Sequence, residues 1–260
     1  MLRPLLALTA LLPAAALANT DPTPLRAGIL IGVGDRIAIV QQDAQVGSHL
    51  NRNVQQSMRI GPEVFQHDAV LTTAQALGTA LPGVKPVEMP VRPDVQTQPW
   101  RVDGERLIVE PVLAGALERA KVGMLVLVEP LSAPAELKLA DLTMGQGRLE
   151  GLGFYVDNET LVRRIDTGDQ AIGFLGLYAY FRTLVVEIPS MKLLCQRRST
   201  DSQTYLADRK SPGTHPWQAL SLERKIEDLR GIVRRELGAS LKHCLGAGPA
   251  PAATTGPSGS

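Results

Sequence analysis

The chain has 260 residues, 44% of them hydrophobic, and carries 27 Lys+Arg against 26 Asp+Glu for a formal net charge of +1. That length supports a sizeable core, and that apolar fraction is ordinary for a globular protein. A near-neutral chain lacks the basic surface that nucleic acid or an anionic membrane needs, so neither is expected as a main partner.

Residues 1–18 read as a signal peptide. Arg3 supplies the positive start, Leu5 to Leu17 the apolar run, and Ala16-Leu17-Ala18 the small-x-small pattern, with cleavage expected between Ala18 and Asn19. The run is shorter than the roughly 20 residues a membrane span needs. No cysteine follows it to carry a lipid, and no later stretch is long and apolar enough to span a bilayer. Losing Arg3 leaves 26 Lys+Arg against 26 Asp+Glu in the mature chain. The expected destination is the periplasm, with residues 19–245 as a single α/β domain. Residues 246–260, dominated by Ala, Pro, Gly, Ser and Thr, read as a disordered tail.

From Ala27 to Gln42, two apolar runs flank Gly34-Asp35, a pair suited to a two-residue primed turn, and the expectation is a β-hairpin. Gly32-x-Gly34 could open a dinucleotide loop, but Ile37 stands where the third glycine belongs and strand residues follow it. A polar loop over 43–53 contains Ser48 and His49, and Val54 to Ile60 reads as a strand. Apolar residues at helical spacing predict a helix over 62–81, stopped by Pro82-Gly83. Pro86 and Pro90 limit Val84 to Val91 to an edge strand, and Arg92 to Asp103 reads as linker. Arg106–Pro111, a helix over 112–121 and the apolar run Gly123–Pro130 suggest a crossover between two parallel strands. Residues 132–143 form a mixed connector.

Residues 147–158 (GRLEGLGFYVDN) alternate as a strand, and 159–170 read as a polar loop. Two long strands over 171–203 follow, turning at Pro189-Ser190-Met191-Lys192. A hairpin this long requires a sheet beside it and a layer over it. After an irregular stretch, Ser221 caps a helix. Leu222, Ile226, Leu229, Val233, Leu237, Leu241 and Leu245 form one apolar stripe along it, with Arg224, Lys225, Glu227 and Asp228 among the polar remainder. That helix is the obvious cover for the hairpin. Cys195 and Cys244 lie in the second hairpin strand and near the end of this helix. They form a disulfide in an oxidising compartment if the fold brings them together, and are otherwise two small buried side chains.

Chemistry is sparse. HExxH, GxSxG, a P-loop and CxxC are all missing, so no cofactor is expected. Asp35 and His49 are the candidate catalytic residues. Asp35 past an apolar strand, with His49 or with Asp157, Asp166 and Asp169, has the oxygen chemistry for a hard cation. An aspartate at a hairpin tip also has a simpler cause, since it tolerates the turn. His67, His215 and His243 have ordinary surface explanations. Tyr178, Tyr180 and Phe174 share one strand face, a core row beneath a helix or, less commonly, a platform for stacking a ligand.

The segments ILIGVGDRIAIVQQ, GSH, EGLGFYVDNET and LGLYAYFRTLVVEIPSMKLLCQ, behind a signal peptide, resemble an uncharacterised family of exported proteobacterial proteins. The likeness covers most of the mature chain and implies no catalytic residues. More loosely, the order of elements is similar to the α/β accessory proteins of curli secretion and of penicillin-binding-protein activation. There the hairpin carries D-x-x-T/S-G-x. Here Glu187-Ile-Pro-Ser-Met-Lys192 fills that place without the glycine, and the lipid-bearing cysteine is missing.

The fold expected is α/β or α+β, a single mixed sheet with a long antiparallel hairpin and helices packed on it. The function expected is that of a non-catalytic periplasmic binding or envelope-accessory protein, meeting another envelope protein through an exposed strand edge. The rivals are a metal- or Asp/His-dependent hydrolase around Asp35 and His49, and a subunit of an oligomeric envelope assembly.

Overall fold

The computed structural model describes residues 25–42, 53–89, 98–139, 142–163, 170–206 and 215–246. In chain order they form β1 (Arg26–Ile31), β2 (Arg36–Gln41), β3 (Val54–Arg59), α1 (Gln66–Ala80), β4 (Lys85–Glu88), β5 (Trp100–Asp103), β6 (Arg106–Val109), α2 (Pro111–Ala120), β7 (Met124–Pro130), β8 (Ser132–Pro134), β9 (Leu137–Leu139), β10 (Leu142–Met144), β11 (Arg148–Arg163), β12 (Gln170–Glu187), β13 (Lys192–Leu206) and α3 (Leu222–Gly246). A 3₁₀ turn over Pro216–Ala219 precedes α3. The signal segment, its cleavage point at Ala18 and Asn19, His49 and the tail beyond 246 lie outside the described residues.

β12 is the spine of a mixed sheet. From Phe174 to Val186 every residue but Arg182 is buried, on alternating faces, as a strand flanked on both edges and covered on both sides requires. Along one edge it pairs antiparallel with β13, joined by the turn before Lys192. Along the other edge it pairs with two strands laid end to end: β7 opposite Phe181–Glu187 and β11 opposite Gln170–Tyr180. The next place outward is also shared, by β1 parallel to β7 and β2 parallel to β11. β4 and β3 close the two halves, as partners of β1 and β2.

Trp100–Asp103, read as linker, is strand β5, the connector after Leu131 carries β8, β9 and β10, and two expectations about pairing change. β1 and β2 are not a hairpin: each finds a different partner, and Gly34-Asp35 forms a corner between nearly collinear strands. The β6–α2–β7 unit is not a crossover between parallel neighbours either. β6 pairs antiparallel with β5 and is paired with β13 at a single position, Arg106↔Lys192, while β7 lies between β1 and β12. Pro86-containing β4 is an edge strand, as its proline demands.

One face of the sheet presents Ile29, Ile31, Val126, Val128, Leu175, Leu177, Phe181 and Val185 to Leu77 of α1 and to Leu229, Val233, Leu237 and Leu241 of α3. The amphipathic stripe on α3 thus covers the long hairpin. Its first member, Leu222, is exposed, Ile232 is buried instead, and Lys225 is buried at 2% exposure. The Lys225 ammonium donates to the Leu220 carbonyl at 2.6 Å and lies 4.3 Å from the centre of the Trp217 ring. Burial holds its pKa below the ordinary lysine value, against the opposing pull of Glu223. Ser221 accepts from the Arg224 amide and caps α3 as expected. At the other end of α3, the sulfurs of Cys195 and Cys244 stand at bonding distance, 2.02 Å, with Cα atoms 5.4 Å apart.

The opposite face is covered in two pieces. Leu125, Leu127, Leu184 and Val186 pack under α2 and the β5–β6 hairpin. Tyr155, Phe174, Tyr178 and Tyr180 pack under the excursion from Leu131 to Gln146, which carries β8, β9 and β10. The tyrosine row is therefore core, but beneath this excursion and not beneath a helix.

Candidate functional site: a cleft and an open edge where the sheet divides

The aromatic row is built by size complementarity. Tyr180 faces Gly151 across the β11–β12 pair, Tyr178 faces Gly153, and Tyr155 faces Gly176. A methyl group on Gly153 would overlap the Tyr178 hydroxyl and the Ala38 carbonyl, and one on Gly176 would stand 2.9 Å from Leu137. Tyr155 donates to Gln42 Oε1 at 2.6 Å and accepts from the Gln146 amide at 3.0 Å. Tyr180 accepts from the Glu136 amide at 2.9 Å. Burial pushes the Tyr155 phenol up to about 12, less the effect of the Gln146 amide and helped by the Asp157 charge. Burial first, then Tyr180 and Glu150, raise Tyr178 further still. These phenols stay neutral at physiological pH, which leaves them unsuited to act as bases.

Because β1–β2 and β7–β11 both break at the same level, the sheet is split there. A cleft of about 320 Å³ opens in the split. It is lined by Gly32 to Arg36 at the corner, by Gln55 and Ser57 of β3, and by Pro130 and Glu150 to Leu152. Asp35 lines it, with its own neighbour Arg36 at 3.7 Å and both side chains more than half exposed. Behind the corner, Glu129 is buried at 3% exposure. Trp100 Nε1 and Gln98 Nε2 each donate to it at 2.6 Å, and Arg182 donates through both Nε and a terminal nitrogen. Its oxygens are filled, so this carboxylate ties β5, β7 and β12 together. The legible signal for this pair was a single charge inside each of two apolar strands, LVLVEP and YAYFRT.

Asp157 is buried and accepts from the Glu159 and Thr160 amides at 2.8 and 2.7 Å and from the Thr160 hydroxyl at 2.6 Å. It shapes the bulge between Asp157 and Leu161. Asp166 and Asp169 lie outside the described residues. His67 and His243 are exposed, and His215 accepts from the Trp217 amide. Among the described residues, no group of three or more His, Cys, Asp or Glu side chains could hold a metal ion. No described helix is long and apolar enough to cross a membrane.

The second feature at the split is an edge. β3 pairs only with β2 among the described residues, and all six of its residues are exposed. Ile60 donates to the Asp35 carbonyl at 3.0 Å. With the register Ile37↔Met58 and Ile39↔Gln56, the amides of Gln56 and Met58 therefore point at β2, while those of Gln55 and Ser57 point outward.

No family model matches the chain, and no curated protein matches it. Among solved structures, a protein described as a neuraminyllactose-binding hemagglutinin homolog from Helicobacter pylori is similar at 10% identity and a TM-score of 0.35, over 85% of this chain and 81% of that one. The hypothetical protein CT253 from Chlamydia trachomatis is similar at 11% identity and a TM-score of 0.26, over 84% of this chain and 99% of that one. Likeness at this level carries no functional assignment.

Proposed function

We propose that the protein is an exported, non-catalytic accessory protein of the periplasm that engages a protein partner by adding a strand to the open edge of β3. The observation that carries this reading is how differently the sheet edges are treated. Exposed edges invite pairing, and natural sheets blunt them with charges, prolines, bulges or covering segments. β4 carries Pro86 between Lys85 and Val87. β5 has two charges, Arg101 and Asp103, in four residues. β13 has a bulge near Cys195, Arg197 and Arg198, and Lys138 bonded across it to Asp201. In β3, Val54-Gln55-Gln56-Ser57-Met58 has no charge and no proline, and the strand's single charge, Arg59, stands at its end. Strand addition at such an edge draws affinity from main-chain hydrogen bonds.

Ser57→Pro tests this directly, because it removes an outward amide and spares the bonds to β2. In cross-linked envelope fractions the wild type and Ser57→Ala are expected in a higher-mass complex and Ser57→Pro as the free chain. A wild type that runs as the free chain, or a Ser57→Pro protein that keeps its complex, overturns the reading. Export predicts a mature N-terminus at Asn19; intact Met1 on the periplasmic protein, seen by mass spectrometry, rejects it.

A further inference from the structure

The strand edge of β3 is self-complementary, and we propose that its occupant is a second copy of this chain, paired antiparallel about a two-fold axis at Gln56. The inference rests on reading β3 as the docking edge and names the partner. Outward amides must meet outward amides, so only registers in which the paired residue numbers sum to an even value are allowed. With Gln56 opposite itself, Gln55 meets Ser57 in the two hydrogen-bonded pairs, and Val54 meets Met58 twice on the face shared with the helices. Val54 and Met58 are 53% and 55% exposed, so each side chain covers an apolar surface that the single chain leaves in water. Nothing charged lies between residues 54 and 58, and no like charges oppose one another across that stretch. Arg59 falls opposite Asn53. The β3 edge, unlike that of β13, thus meets the geometric and electrostatic conditions for pairing with itself.

A second sheet added along six residues makes a contact below the roughly 1,200 Å² of standard complexes. The dimer therefore exchanges, and a covalent trap reports it best. Gln56 opposite Gln56 is a non-hydrogen-bonded pair with Cα atoms about 4.5 Å apart, within the range a disulfide bridges. The experiment compares Gln56→Cys, Gln55→Cys and Ser57→Cys in the mature protein under mild oxidation, with the Cys195–Cys244 bridge verified by mass and the fold by circular dichroism. Gln56→Cys is expected to form a disulfide-linked dimer at least tenfold faster than the other two, and adding Ser57→Pro to it should abolish that advantage. Equal rates at all three positions, or faster linkage at Gln55→Cys or Ser57→Cys, overturn the proposal. If Gln56→Cys fails to dimerise while the envelope complex still depends on Ser57, the second copy is wrong and strand docking stands. If the complex is also indifferent to Ser57→Pro, both fall.

Discussion

The two margins of the sheet at β13 and β3 are built on opposite plans. β13 is long, and α3 is fastened to it by the Cys195–Cys244 bridge, by the Ser199–Ser240 hydroxyl pair at 3.0 Å and by Arg235 bonded to Asp201. Lys138, from the excursion on the other face, reaches the same Asp201 at 2.7 Å. Both layers thus grip one strand from either side. β3 is short and exposed on both faces, with no described element over it. A margin welded into the core contributes stability, and a margin left bare is available for association. The contrast separates the two tasks within one sheet.

The contrast breaks first at α3. Leu237 is fully buried against the hairpin, and Leu237→Asp should cost several kcal/mol, about the size of an unpaired buried charge. A denaturant midpoint unchanged from wild type would mean the helix does not hold β13. Next in size is the bridge. Replacing Cys195 and Cys244 together by Ser releases a link with a sequence separation of 49, and a loss of about 2–4 kcal/mol is expected from such a cross-link; thermal denaturation of the double variant checks it.

A smaller effect comes through pH. Burial raises the Asp201 carboxyl, but hydrogen bonds from Lys138 and Arg235 and the Lys138 charge outweigh it, and its pKa ends below the ordinary value. A carboxylate depressed on folding adds stability above its unfolded pKa, about 4, and that contribution is lost as pH falls through the folded value. Asp201→Asn should therefore flatten the acid side of the stability curve and leave its slope above neutrality unchanged. Smallest of all is the bare margin. Met58→Lys should move folding stability by no more than about 0.5 kcal/mol, as for any exposed site without special contacts, while weakening association. A large loss of stability would show that β3 belongs to the core after all.

Much of the fold was legible because it is local. The turn at Pro189–Lys192, the edge character that Pro86 imposes on β4, and the stripe on α3 each follow from neighbouring residues. What failed was partner choice. Gly34-Asp35 has hairpin chemistry, yet β7 and β11, far along the chain, offer β1 and β2 better partners. The Arg106–Pro130 spacing suits a crossover, yet β6 is drawn to the hairpin turn, where Leu107 donates to the Met191 carbonyl at 2.8 Å. Lys225 sits on a helix position read as polar, and only the Trp217 ring and the Leu220 carbonyl explain its burial. The cleft around Asp35 and the open edge beside it follow from those non-local pairings, so neither could be read from spacing.

The most direct test is amide hydrogen exchange along β3 in dilute protein. The outward amides of Gln55 and Ser57 should exchange at least about tenfold faster than those of Gln56 and Met58, which bond to β2. Protection at Gln55 and Ser57 equal to that of their neighbours would mean the edge is already covered, and the account would be wrong.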